Sequence, residues 1–158
     1  AFRHNQVQIF NLGFDRKGWP EVHWVYFPEK KYSFYRVGFY NNIFNTDRMS
    51  LYVEHGSPSG SEVDVDALLE TTLADLRTAG IIEDHELVSY HEILLDPAYV
   101  HITKESNQSL AELRQLLAIQ GIYSVGRYGG WTYCSIEDNI LEARKLASIL
   151  NAVKSAGV

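Results

Sequence analysis

Residues 50–80, SLYVEHGSPSGSEVDVDALLETTLADLRTAG, decide the fold class, because two hydrophobic periods follow one another in this stretch. Residues 50–54 form a short run with β-branched and aromatic residues, which is typical of a strand, and a Gly, Ser and Pro cluster follows them as a turn. Ser61 and Asp64 then resemble a capping box, and Gly80 stands at the expected helix stop. Between them, apolar residues recur at helical spacing at Val65, Leu68, Leu69, Leu73 and Leu76. The stretch therefore predicts a strand, a turn and a capped helix.

The first third of the chain reads as antiparallel strands, because short β-branched and aromatic runs alternate with turn residues. These runs lie at residues 7–12, 22–27, 34–40 and 50–54. A meander is the most economical topology for them. Further extended segments are predicted at 88–95, 98–103 and 122–126.

Two more helices are predicted in the second half of the chain. The first opens at Ser106 or Asn107 and ends at Gly121. The second begins near Ser135, where Ser135 and Asp138 form another capping pair. Its inward stripe is expected to consist of Ile136, Ile140, Ala143, Ala147 and Leu150.

The 158 residues are predicted to form a single α+β unit, 1–158, with a mostly antiparallel sheet of about five to seven strands and three helices packed on it. Fourteen basic against 20 acidic residues give a formal net charge of -6, which argues against a surface for nucleic acid or for an anionic membrane. No apolar stretch approaches the roughly 20 residues that a membrane span needs. We therefore expect a chain with no nucleic-acid partner and no membrane span.

The single cysteine, Cys134, excludes an internal disulfide and a cysteine-based metal site, so the cytoplasm is the expected location. The six histidines form no helical i, i+4 pair, and no metal site is predicted. A site at His91 and His101 near Glu92 is the open alternative. The chain starts with Ala1 rather than Met and enters a strand almost at once, which indicates a piece of a larger protein.

Aromatic residues make up 13% of the chain, and ten of them are tyrosines. Such side chains build a sheet core or line a ligand surface. We expect mostly core positions, with a minority facing a substrate, for Trp24, Tyr26, Phe34, Phe39 and Tyr40.

The segment GRYGGWTY, residues 126–133, is the strongest candidate for chemistry. Its three glycines permit positive φ and close backbone approach, and the helix that follows offers unpaired N–H groups with a partial positive charge. This combination favours an anionic or electron-rich ligand, with Arg127 as a clamp and Tyr133 as a hydroxyl donor. A glycine-rich turn with a surface arginine is the alternative, because isolated glycine motifs are weak evidence.

Two segments carry a resemblance to a known group of enzymes. GRYGGWTYCSIEDNI at 126–140 and VHWVYFPEKKYSFYRVGFYNN at 22–42 resemble the C-terminal portion of FAD-dependent enzymes of the amine oxidase, protoporphyrinogen oxidase and UDP-galactopyranose mutase group. The resemblance implies that the start of the last helix lies against the flavin ring. The cofactor-binding residues that it implies are Gly126, Arg127, Gly129, Gly130, Trp131, Ser135, Ile136 and Asp138.

The resemblance also implies substrate contacts. The mutase branch has a Gly-Arg followed six positions after the Arg by a Tyr, which Arg127 and Tyr133 match, and a Tyr-Arg pair that Tyr35 and Arg36 match. By this resemblance Arg36 and Arg127 are the catalytic residues. The chain departs from the mutase pattern at Ser135, where an Asp is usual, and at Trp131, where the mutase has a smaller tyrosine.

The nucleotide-binding half of this group begins with a GxGxxG turn, and no such pattern occurs in the chain. We therefore expect a fragment that is inactive alone, holds FAD weakly or not at all, and lacks an N-terminal FAD-binding half. Self-association through the surface left exposed is a further expectation.

The function implied for the parent is that of an FAD-dependent oxidoreductase or a UDP-galactopyranose mutase-like enzyme. Its substrate would be a small anionic molecule or a nucleotide sugar, with a place in cell-surface polysaccharide biosynthesis. The alternative is a stand-alone α+β module that binds a ligand or a partner without a cofactor.

Overall fold

The structure, a computed structural model, describes residues 2–155. Its strands are β1 (Arg3–Phe14), β2 (Trp24–Tyr26), β3 (Arg36–Phe39), β4 (Ser50–Pro58), β5 (Leu87–Leu95) and β6 (Val100–His101). Its helices are α1 (Tyr40–Phe44), α2 (Val65–Thr78), α3 (Lys104–Ile119), α4 (Gly126–Gly129) and α5 (Ile136–Ser155). The α+β class with a mostly antiparallel sheet is confirmed. These elements group into two compact units, Asn5–Ala98 and the described residues 2–4 with 99–155.

The sheet of the first unit has the strand order β2-β3-β4-β1-β5, and every neighbouring pair is antiparallel. The predicted meander holds for β2, β3 and β4. It is wrong for β1, which lies between β4 and β5 rather than at an edge. The reason is burial: Phe10, Leu12 and Phe14 on β1 are fully buried, and a central strand has neighbours on both sides to cover them.

One face of this sheet is closed by α2. Leu69 and Leu76 of the helix join the sheet's core cluster, in which Val37, Phe39 and Val53 are completely buried. Burying a side chain of this size stabilises the fold by about 1.5–3 kcal/mol. The core of the first unit therefore lies between α2 and the sheet.

The ends of α2 follow the predicted signals with one difference. Asp64 is the N-cap, and its carboxylate accepts a hydrogen bond from the amide of Ala67. Ser61 takes no part in the cap, because its hydroxyl donates to the carbonyl of Pro58. Gly80 has φ +70, and the chain turns back there so that the amide of Ile81 donates to the carbonyl of Leu76.

The opposite face of the sheet carries polar and aromatic side chains. Because side chains alternate along a strand, Arg36 and Gly38 of β3 and Tyr52 and Glu54 of β4 point away from α2. The short helix α1, which the sequence did not predict, follows β3 directly and ends at Asn45 in a left-handed conformation.

In the second unit, the two-residue strand β6 pairs with Arg3 and His4 of β1. Helix α3 begins at Lys104 with Thr103 as its N-cap, so the predicted opening at Ser106 or Asn107 is too late in the chain. Ser106 is instead the third helical residue: the Thr103 hydroxyl accepts from its amide, and its own hydroxyl accepts from the amide of Thr103. Gly121, with φ +75, follows the helix as expected.

The strand predicted at 122–126 is wrong. Val125 has an extended backbone but no strand pairing, and Gly126 turns with φ +82 into the short helix α4. The start of α5 is confirmed as a capping box, since the Ser135 amide donates to Asp138 at 2.8 Å and the Asp138 amide donates to the Ser135 hydroxyl at 3.1 Å. The inward stripe predicted for α5 is wrong, because all five of its members are exposed: Ile136, Ile140, Ala143, Ala147 and Leu150.

Within 2–155, none of the helices has the length and the hydropathy needed to cross a membrane. The same residues contain no group of three or more His, Cys, Asp or Glu side chains placed to hold a metal ion.

Candidate functional site

The polar face of the first unit centres on an ion pair between neighbouring strands. Arg36 on β3 and Glu54 on β4 are register partners, and Nη2 of Arg36 donates to Oε1 of Glu54. The hydroxyl of Tyr35 donates to the other carboxylate oxygen. Glu54 is only 6% exposed, so this carboxylate is buried with two donors. A buried charge of this kind depends on its partners for its stability.

Aromatic rings surround the guanidinium group of Arg36. Its central carbon lies 5.7 Å from the ring centroids of both Tyr26 and Tyr52 and 6.0 Å from that of Tyr35. Its Nη1 also donates to the hydroxyl of Tyr26 at 3.3 Å. Arg36 is thus surrounded by aromatic rings, and its charge is balanced by Glu54. We call Tyr26, Tyr35, Arg36, Tyr52 and Glu54 the sheet-face cluster.

A concavity of about 420 Å³ opens beside the sheet-face cluster. Trp24 forms part of its wall and is 58% exposed. The size and the mixture of aromatic and polar groups suit a small organic ligand, since such sites span roughly 300–1,000 Å³. Its lining residues include Asn11, His23, Trp24, Tyr40, Tyr52 and Ile93.

Tyr52 is held in this wall by the shape of the sheet. A Cβ built on Gly38 would overlap the Cε1 and Cζ atoms of the Tyr52 ring, so the ring packs directly on the glycine backbone. Partial burial raises the pKa of the Tyr52 hydroxyl above its usual value near 10, against the lowering effect of Arg36. Tyr52 therefore presents a neutral hydroxyl group at neutral pH.

The structure brings together two of the predicted site residues here, Tyr35 and Arg36. Of the aromatic residues expected mostly in the core, Phe34 and Phe39 are buried, whereas Trp24, Tyr26 and Tyr40 are exposed. Glu54 and Tyr52 were not predicted as site residues. One signal was present for Glu54: like Arg36, it is a charged residue within an otherwise apolar strand segment.

The second candidate surface is the glycine bend, residues 126–133, in the second unit. The side chains of α5 hold its first two amides: Gly126 donates to Glu142 at 2.8 Å and Arg127 donates to Oδ1 of Asn139 at 3.0 Å. The amide of Gly130 donates to the carbonyl of Gly126 at 2.6 Å. These three N–H groups are therefore occupied by the chain itself.

Arg127 is also engaged within the unit. Its Nη2 donates to the carbonyl of Cys134 at 2.6 Å, and its guanidinium carbon lies 4.9 Å from the ring centroid of Tyr133. Tyr133 itself is 71% exposed. The predicted pair Arg127 and Tyr133 is thus brought together, with the tyrosine as the accessible member.

The remaining residues of the bend pack against their own unit. A Cβ on Gly129 would lie 2.7 Å from the Ser124 hydroxyl oxygen, so the glycine permits a close approach of two chain segments. Gly130 is buried. Trp131 adopts φ +43, and its indole N–H donates to the carbonyl of His101 at 3.3 Å.

The open part of this region is the first turn of α5. Ser135, Ile136 and Asp138 are exposed, and Ile136 is 81% exposed. Hydrogen bonds from Ser135 lower the pKa of the Asp138 carboxyl below its usual value, so Asp138 is ionised. The Sγ atom of Cys134 lies 3.5 Å from Oδ1 of Asn139, just inside this turn.

The residues of the glycine bend and of the start of α5 fit a flavin only in part. The amides of Gly126, Arg127 and Gly130 are engaged within the chain. The first turn of α5 does fit one edge of the ring, because it offers an exposed apolar side chain, Ile136, beside the positive end of a 20-residue helix.

The fold belongs to the α+β class, with an antiparallel sheet that α2 covers on one face only. A solved structure with this fold is described as the crystal structure of reduced UDP-galactopyranose mutase. It matches with a TM-score of 0.74 and 24% sequence identity, over 82% of this chain and 29% of that chain. The chain therefore spans less than a third of the length of that protein. No protein-family model and no curated protein sequence matches it.

Proposed function

We propose that this chain is the substrate-facing and C-terminal flavin-contacting part of a larger FAD-dependent enzyme, either an oxidoreductase of the amine oxidase kind or a mutase acting on a nucleotide sugar. The observation that carries the proposal is the sheet-face cluster, an arginine fixed by a buried glutamate within an exposed aromatic surface. The fold shared with part of a UDP-galactopyranose mutase supports it.

The chemistry of the sheet-face cluster favours a substrate that is a polar ring. Because Glu54 balances the charge of Arg36, the cluster attracts anions less than a free arginine does, and it offers aromatic faces and hydroxyl groups instead. Sugar rings pack their C–H groups on such faces and exchange hydrogen bonds with hydroxyl groups. Arg36 and Tyr35 are the proposed contacts, and a nucleotide sugar is the favoured substrate.

Arg127 and Tyr133 of the second unit are proposed as substrate residues by the resemblance to the mutase branch. The exposed hydroxyl of Tyr133 is the group that would donate to a phosphate oxygen. The hydrogen bond from Arg127 to the carbonyl of Cys134 accompanies a position of the guanidinium over that ring. In this proposal Arg127 both positions Tyr133 and supplies positive charge.

The proposed cofactor is FAD, and its place is the first turn of α5, at Ser135, Ile136 and Asp138. FAD supplies hydride-transfer chemistry when it is bound. The helix end would favour the negative charge that a reduced flavin carries near N1. The ionised Asp138 is committed to Ser135 and keeps this turn in place. The pyrophosphate would be held by polypeptide outside this chain, because the chain has no GxGxxG turn.

The proposal is tested by expressing the longer polypeptide encoded upstream of Ala1 together with this chain. We expect a yellow protein that keeps FAD through desalting, and a flavin spectrum that responds to UDP-galactose. Arg36→Lys and Tyr35→Phe should each weaken that response about tenfold, whereas Arg144→Lys, at an exposed position of α5, should not. A longer protein that binds no FAD would contradict the proposal.

The alternative of a stand-alone binding module has one observation in its favour. The unit Asn5–Ala98 closes its own core between α2 and the sheet, with no contribution from a cofactor. Titration of this chain by itself with UDP-galactose and with FAD separates the two proposals. Saturable sugar binding without any flavin response favours the module.

A cytoplasmic location and a role in supplying donors for cell-surface polysaccharide are part of the same proposal. The single thiol, Cys134, is consistent with a reducing compartment. Fractionation of cells that produce the longer protein would test the location.

A further inference from the structure

Strand β5 has the sequence of a buried strand and the surroundings of an exposed one. Eight of its nine residues, LVSYHEILL, are exposed. Six of the nine residues are apolar and they fall on both faces of the strand, which is typical of a strand covered on both faces, although Ser89, His91 and Glu92 interrupt them. The large apolar side chains left exposed on it are Val88, Tyr90, Ile93, Leu94 and Leu95.

These side chains lie on both faces of the sheet. The register pairs Leu12 with Tyr90 and Ile9 with Ile93, so Tyr90 and Leu94 share the face of α2 while Ile93 and Leu95 share the open face. In the path β2-β3-β4-β1-β5 the strand is also the last, so its outer edge has no neighbour in that path. An exposed apolar edge of this kind is an aggregation hazard, which proteins normally cover.

We propose that β5 is an internal strand of the complete protein, and that polypeptide preceding this chain covers it by pairing with its outer edge and packing on both faces. This inference rests on the proposed function, since that function requires the preceding half. It adds the surface on which that half docks.

Two observations favour this occupant. The chain matches only 29% of the mutase chain whose fold it shares, so a protein of that kind has ample polypeptide to cover β5. Preceding polypeptide would join this unit through β1, and the Val7–Leu95 pair of β1 and β5 marks the most apolar end of β5. A second copy joined edge to edge would satisfy the backbone but leave Tyr90 and Leu94 without a layer above them.

Hydrogen exchange measured by mass spectrometry tests the docking surface. Amides in the peptide covering 87–95 should exchange at least 100-fold more slowly in the longer protein than in this chain alone. The peptide covering α2 serves as the control and should change little, because α2 already packs on the core. Equal exchange of 87–95 in the two proteins would overturn the inference.

A pair of substitutions gives an independent readout. Leu94→Lys should lower the melting temperature of the longer protein by several degrees and leave that of this chain unchanged, because the side chain is 52% exposed here. Glu70→Lys, at an exposed position of α2, should shift neither. A Leu94→Lys effect equal in the two proteins would contradict the docking surface.

The outcomes separate the inference from the function. A longer protein that holds FAD but leaves 87–95 unprotected overturns the inference alone. Protection of 87–95 in a longer protein that binds no FAD supports the inference and overturns the function. Analytical ultracentrifugation measures whether the longer protein dimerises. Protection of 87–95 that appears only in the dimer identifies a second copy as the occupant and overturns the inference.

Discussion

The ring of Tyr52 packs directly on the backbone of Gly38, its register partner on the adjacent strand. A side chain of any size at position 38 would occupy the space of the ring. The orientation of Tyr52 beside Arg36 is therefore set by the absence of a Cβ at a neighbouring residue.

Gly38→Ala is expected to destabilise the chain by roughly 1–3 kcal/mol, because overpacking forces the Tyr52 ring out of its position. Urea unfolding followed by tryptophan fluorescence measures the change. Gly56→Ala is the matched control on β4: a Cβ there would meet the Tyr35 ring at an ordinary 3.6 Å. A Gly38→Ala protein as stable as the control would contradict the packing described.

The ion pair of Arg36 and Glu54 yields a second prediction. Arg36→Met alone should cost roughly 3–5 kcal/mol, because it leaves the Glu54 carboxylate buried without its cation. The double variant Arg36→Met, Glu54→Leu should cost clearly less, since both charges are removed together. The free energies of unfolding of the two single variants and the double variant form the test, and simple additivity would refute it.

His55 makes the stability of the chain depend on pH. Burial lowers the pKa of His55 from 6.5 to about 4, although the backbone of Ser33 and the charge of Asp75 favour the protonated form. The Nδ1–H donates to the Ser33 carbonyl at 3.0 Å, and Nε2 lies 3.2 Å from the Thr72 hydroxyl. The folded protein thus binds a proton on His55 less readily than the unfolded chain does.

Because the folded pKa is the lower one, the stabilisation is complete above pH 6.5 and is lost as the pH falls toward 4. The loss over this interval should approach about 3 kcal/mol. Unfolding in urea at several pH values measures it. In His55→Gln, which does not titrate, the slope in this interval should be much reduced, and an unchanged slope would assign the effect to other groups.

The fourth prediction concerns the glycine bend. Asn139→Ala removes the acceptor of the Arg127 amide, so exchange of that amide should accelerate, by about fivefold for the roughly 1 kcal/mol that such a hydrogen bond contributes. Amide exchange followed by NMR is the measurement. Asn151→Ala, near the other end of α5, provides the control and should leave the Arg127 amide unchanged.

Local signals in the sequence predicted α2 well. Its leucine spacing, the carboxylate of Asp64 and the positive φ of Gly80 are all properties of neighbouring residues. The place of β1 in the sheet was not predictable in this way, because its pairing with β4 and β5 joins residues far apart in the chain. A run of apolar residues indicates a strand without indicating its neighbours.

Two errors have the same physical origin. Residues 122–126 are apolar enough for a strand, but Gly126 turns the chain with φ +82 before any strand pairing forms. The apolar stripe of α5 was expected to face inward, yet Ile136 and Ile140 are exposed in the described chain. In both cases the sequence pattern identifies the apolar residues correctly. What those residues contact depends on the surrounding structure, which the pattern does not contain.

The candidate site was predictable in part. Tyr35 and Arg36 came from the resemblance, and the structure adds their partner Glu54, which no motif marks. A carboxylate and a guanidinium on facing strands are recognisable as partners only once the register is known.

Because Cys134 is the sole thiol in the chain, a spin label or fluorophore can be attached there without mutagenesis. Its Sγ lies against Asn139, one turn inside α5. A reporter at this native position would follow, in real time and in a single labelling step, any molecule that arrives at the start of that helix.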